Sequence, residues 1–84
     1  MFDLIVITPQ KTIFNDAVKN LWVEGNDSEY ELLSFHAHLV GLIRNRIIID
    51  KERVINFKKG AVRFYENKCV VMIEADVRAI PKAT

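Results

Sequence analysis

Apolar and polar residues alternate with a period of two along most of this chain. In "FDLIVIT", Phe2, Leu4 and Val6 share one face and Asp3, Ile5 and Ile7 the other, which is the spacing of a strand. Pro9 ends that run, and "PQKT" predicts a turn. "AVKNLWVEG" sets Leu21 and Val23 on one face, with Asn20, Trp22 and Glu24 opposite; Gly25 with "NDS" predicts a second turn. "YELLSF" and "RIIID" are further β-rich runs, the latter stopping at "DKER". "VINFKKGAVRFYE" alternates around Val62 and Phe64. "EN" and then Lys68 turn the chain into "CVVMIEAD", whose apolar density predicts a central strand. Residues 36–44 could hold a short helical turn but lack a cap, and nothing predicts a long amphipathic helix.

About eight to ten short strands are too many for one flat sheet at this length. Two roughly five-stranded sheets packed face to face, or a flattened barrel, would bury both sets of alternating residues. The expected fold is therefore all-β, a flattened sandwich or barrel. No repeat, low-complexity stretch or linker divides the chain, so residues 1–84 are expected to form a single β-sandwich domain, with a tail from about residue 78.

Composition narrows the function classes. Half the residues are apolar and 27% are charged, as in a globular domain. Lys and Arg number 12 and Asp and Glu 11, for a net charge of +1, so there is no basic footprint for nucleic acid. The single cysteine, Cys69, lies in an apolar run and is expected to pack as a small buried hydrophobe. No apolar run approaches the about 18 residues of a membrane span, and no direct membrane insertion is expected. Asp3 sits where an export signal needs positive charge, so no such signal is expected. The three glycines, at 25, 41 and 60, are isolated, which leaves no phosphate-binding loop, and no cofactor is expected.

The candidate chemistry gathers in "SFHAHLV", where His36 and His38 are two positions apart. On a strand they would share a face and could chelate a metal. A zinc site needs three or four ligands, and Glu29, Glu31 and the distant Cys69 do not stand at ligand spacings, so no metal is expected. Ser34 beside His36 could be a hydrolytic pair, but no nucleophile motif surrounds it. The simplest reading has one histidine hydrogen-bonded within a buried turn and the other on an exposed face.

"LWVEGNDSEYELLSFHAHLVGLI" resembles a segment of the epsilon subunit of rotary ATP synthases. There a strand ending in glycine leads through an acidic turn to a Pro-Gly-His-Ala-Pro-Leu-Leu stretch. Here that stretch reads Ser34, Phe35, His36, Ala37, His38, Leu39, Val40. The His-Ala pair and both aliphatics match, while both prolines and the glycine are replaced, so His38 stands at a proline position. "FDLIVITPQKTIFNDAVKNLWVEG" is similar to the family's opening strands. "INFKKGAVRFYENKCVVMIEADV" resembles its closing strands, with Gly60 kept from a Gly-Gly pair and Lys59 in place of the first. The likeness covers residues 2 to about 78.

The resemblance implies the N-terminal sandwich of two five-stranded sheets. It also implies that this 84-residue form, lacking the helical hairpin that follows in most members, would not inhibit ATP hydrolysis. The implied role is a non-catalytic central-stalk subunit, bound to the gamma subunit and to the c-ring, that helps couple proton flow to ATP synthesis. It would be peripheral, on the cytoplasmic face of a bacterial inner membrane or the equivalent organelle face. The matching segment puts His36, Ala37, Leu39, Val40 and Gly41 at or beside gamma. Thr8 and Glu29 match positions facing the ring, with Asp27 or Glu31 as substitutes for Glu29 if the turn shifts in register. The alternatives are a free-standing β-sandwich binding module and, less in keeping with the residues, a small hydrolase using Ser34 and His36.

Overall fold

A computed structural model describes residues 1–74. The predicted strand end at Ala75 and Asp76 and the tail from about residue 78 lie outside the described residues. Seven strands follow one another: β1 Phe2–Ile7, β2 Thr12–Val18, β3 Asn20–Glu24, β4 Glu29–Leu33, β5 Leu39–Ile49, β6 Arg53–Tyr65 and β7 Lys68–Ile73. They hydrogen-bond in the order β2-β1-β7-β6-β5-β3-β4. All pairs are antiparallel except β1 with β7. Residues 36–44 hold no helical turn: three residues of irregular chain lead into β5 at Leu39.

One residue, Lys19, separates β2 at an edge of the sheet from β3 near the other edge. In a flat sheet five strand spacings of about 4.8 Å would put β2 and β3 about 24 Å apart. Two residues of chain reach at most about 7 Å. The sheet must therefore fold over on itself. The crease runs through the two long strands. The N-terminal half of β5 and the C-terminal half of β6 pair in one layer with β7, β1 and β2, while their other halves join β3 and β4 in the second. The two layers expected from the sequence are present, formed by seven strands because β5 and β6 each serve both.

The crease is a bulge. Arg44 pairs with Lys59, but Arg46 pairs with Asn56, so β6 carries one residue more than β5 there. Asn45, at the same place, has φ 73°, a left-handed conformation that Asn tolerates. A one-residue shift turns every later side chain to the other face. This is why Phe57 and Val62, an odd number of positions apart, are both buried. It lets both halves of β6 direct their apolar residues inward. Gly60 lies just past the bulge; a Cβ there would come within 2.7 Å of the Met72 carbonyl oxygen. Only glycine allows β6 to lie this close to β7.

Between the layers Phe2, Leu4, Val6, Leu21, Val23, Leu32, Ile47, Phe64 and Val71 join one core. These include the inward faces read from the period-two runs. β7 lies between β1 and β6, a central strand as expected. Cys69 is buried in this core. Asp50 ties the fold-over shut: its Oδ1 accepts from the backbone N–H of Lys19 at 2.7 Å and of Asn20 at 3.1 Å. The Asp50 N–H in turn donates to the Asn20 carbonyl at 3.0 Å.

Candidate interaction surface

The candidate surface begins with the turn between β4 and β5. His36 N–H donates to the Leu33 carbonyl at 3.1 Å, closing the turn over Ser34 and Phe35. Phe35 stands at φ 63°, a left-handed conformation that costs a non-glycine residue about 1–2 kcal/mol. Asn67 holds it there. Its Oδ1 accepts the Phe35 N–H at 2.7 Å, and its Nδ2 donates to the Met1 carbonyl at 3.0 Å. Asn67 is itself at φ 61°, after Glu66 at φ 51°. Positive φ at both central residues belongs to the two-residue hairpin turn that joins Tyr65 to Lys68.

Neither histidine is buried, which corrects the expectation of a buried turn. His36 stacks edge-on against Phe64 at 5.7 Å, and its Nδ1 lies 2.8 Å from the Ala37 carbonyl. A carbonyl only accepts, so the proton is assigned to Nδ1, and in the neutral ring Nε2 is left as an acceptor. No hydrogen bond joins the ring to Ser34 among the described residues. His38 packs on Tyr65 at 4.4 Å. The two histidines are on an irregular connection rather than a strand, and no third His, Cys or carboxylate joins them in a cluster among the described residues.

The two aliphatics that follow part company. Leu39 packs against the core, whereas Val40 is 77% exposed. Gly41 has open space where a Cβ would stand. Val40 begins an apolar face on the outside of the larger layer. Cross-strand registers set Val40, Arg63, Val70 and Ile5 in one row, and Leu42, Ala61, Met72 and Ile7 in the next. Leu42 is 68% exposed and Met72 50%. Of this face the sequence reading named only Val40. The signal was there: β1 carries Ile5 and Ile7 on its outer side, and a strand apolar on both sides belongs under a second cover. Arg63, Lys59, Arg44 and Lys68 share the face with two acids, Asp3 and Glu74.

Thr8 and Glu29 lie near the crease. Thr8 belongs to a groove with Pro9, Leu42, Lys59 and Gly60. Its Oγ1 accepts from the N–H groups of Gln10 and Lys11 at 3.2 and 3.1 Å, so its hydroxyl holds its own turn. Glu29 is exposed and sits directly across from Glu24. Glu24 in turn accepts from Asn45 Nδ2 at 2.9 Å. Asp27 and Glu31 are exposed nearby. His36 and Ala37 thus lie in the connection before β5 and Val40 on the outer face, while Thr8 and Glu29 lie towards the crease, where Thr8 shares a groove with Leu42 and Asp27 shares one with Val40.

These features define an all-β two-layer domain with an apolar outer face around Val40, Leu42 and Met72, and among the described residues no group of three or more His, Cys, Asp or Glu that could hold a metal ion. No protein-family model matches the chain. Individual relatives do. The chain is 33% identical over 79 residues to the ATP synthase epsilon chain of Campylobacter concisus, covering 88% of this chain and 61% of that one. It is 28% identical over 82 residues to the epsilon chain of a Sulfurovum species, covering 92% and 64%. The chain is thus similar to ATP synthase epsilon chains over the part of them that it spans, a little over three-fifths of their length. Its fold matches a chain from the central stalk and c-ring of the Tetrahymena thermophila mitochondrial ATP synthase, with a TM-score of 0.76 at 13% identity over 86% of this chain and 62% of that one.

Proposed function

We propose that the chain is a non-catalytic central-stalk subunit of a proton-translocating ATP synthase. It binds a gamma-type subunit on one side and the c-ring on the other, and helps couple proton flow to ATP synthesis. The observation that carries this is the similarity to epsilon chains, joined to a sheet face that exposes Val40, Leu42 and Met72. An apolar centre with a charged margin is the anatomy of a protein interface. In this reading His36, Ala37, Val40 and Gly41 meet gamma, with Leu39 supporting them from the core side. Thr8 and Glu29 face the ring, and the subunit is peripheral to the membrane, on its cytoplasmic or equivalent organelle face. Residues 1–84 act as one domain.

Affinity capture of the tagged chain from detergent-solubilised membranes tests the proposal. Gamma and c should be retained together. A free-standing binding module would retain neither, and turnover of a substrate by the purified chain would point to an enzyme. Val40→Asp should lower gamma retention at least about tenfold, the scale of a lost interface anchor. Its circular dichroism should stay unchanged, because the side chain is already 77% exposed.

A further inference from the structure

Phe35 has no explanation within the fold. Its backbone is left-handed at φ 63°, a conformation glycine adopts without strain. Its ring is 83% exposed, so it adds nothing to the core. A bulky side chain kept in a strained and exposed position points to a use outside the domain. The turn is also fixed in advance. Asn67 binds the Phe35 N–H and the Met1 carbonyl, and the His36 N–H closes the turn onto Leu33. The ring is therefore presented at a set place, and little ordering is needed when a partner meets it.

Phe35 borders a shallow groove with His36, His38, Glu66 and Asn67. From there the surface is continuous with the apolar face. His38 packs on Tyr65, Arg63 lies over Tyr65 at 5.6 Å, and Arg63 pairs across the strands with Val40. The ring candidates Thr8 and Glu29 do not border this groove: Thr8 lines another with Leu42, and Glu29 stands across from Glu24. The basic side chains on the same face fit a partner whose rim is acidic.

We infer that Phe35 is a preformed anchor that inserts into an apolar pocket of the gamma-type subunit, at one end of the contact centred on Val40 and Leu42. This rests on the gamma reading proposed above. The pocket would be bordered by carboxylates facing Arg63 and Lys68.

The test is a titration of purified gamma with the full chain and with Phe35→Ala, Phe35→Gly and Val40→Asp, alongside thermal melts of each. Phe35→Ala removes the ring and keeps the left-handed strain; Phe35→Gly removes both. Both should raise the dissociation constant by about tenfold or more, while the midpoint of Phe35→Gly stays at or above that of the parent. If both bind within about twofold of the parent and Val40→Asp does not bind, the anchor is refuted and the gamma surface stands. If Val40→Asp also binds as the parent does, the gamma surface itself is wrong, and the anchor falls with it. Weaker binding accompanied by a lower midpoint in both Phe35 variants would make Phe35 a folding residue and overturn the inference.

Discussion

Two side chains show how single residues carry this fold. Asp50 satisfies two backbone N–H groups where the chain passes from one layer to the other. Asp50→Ala leaves both without that acceptor. At this partly exposed site water can replace part of the interaction, so the expected loss is about 1–2 kcal/mol. Urea unfolding should show it as a lower midpoint with an unchanged slope. Cys69 is the second case. Burial pushes its thiol up to about 12, from an ordinary value of 9.0. An acid whose pKa is raised in the folded state holds its proton there while the unfolded chain has lost it. The folded state then binds more protons than the unfolded state, and stability falls as pH rises from about 9 towards about 12. The steepest slope from this group is about 1.4 kcal/mol per pH unit. Cys69→Val should show a shallower decline in alkaline melts than the parent, and the native thiol should resist alkylation until the domain unfolds.

Among the elements, the pairing of β6 with β7 at the crease is the least forgiving. Gly60→Ala would drive a methyl group to 2.7 Å from the Met72 carbonyl and 3.0 Å from Ile73 Cγ2. Backbone cannot yield as a flexible side chain does, so the expected cost is about 1–3 kcal/mol. Gly41→Ala meets nothing within 4 Å and should unfold within about 0.5 kcal/mol of the parent. Denaturant midpoints of the pair check the contrast. The strand faces were legible in the alternation, since Phe2, Leu4, Val6, Leu21 and Val23 are buried where a period of two put them. The strand count was less so. The break in the pattern around Asn45, ahead of "RIIID", read as a boundary, whereas it marks a bulge inside one continuous strand, β5.

At the scale of the whole molecule, the two proposed contacts adjoin at Thr8, which shares a groove with Leu42, and separate at Glu29, which pairs with Glu24 on strands other than those carrying Val40 and Leu42. Changes at sites without shared partners act independently. Glu29→Lys is therefore expected to impair proton-coupled ATP synthesis in reconstituted vesicles while gamma binding and the thermal midpoint are kept. Glu29 is exposed and faces Glu24 across the strands, so the change removes a like-charge pair and should not unfold the sheet. A lower midpoint with gamma binding lost would mean that Glu29 serves the fold.

The sequence by itself determined the all-β class, the inward face of most strands, the buried thiol and the likeness to epsilon chains. Alternation, turn residues and motif order are local properties, readable along the chain. Only the tertiary structure decided that β2 and β3, joined by Lys19, close the sheet on itself. It alone separated Leu39 from Val40, assembled the outer face from four strands, and put Phe35 in a left-handed turn held by Asn67. Each of these depends on partners far away along the chain, brought together by cross-strand register, and register is set by packing against a core that no short stretch contains.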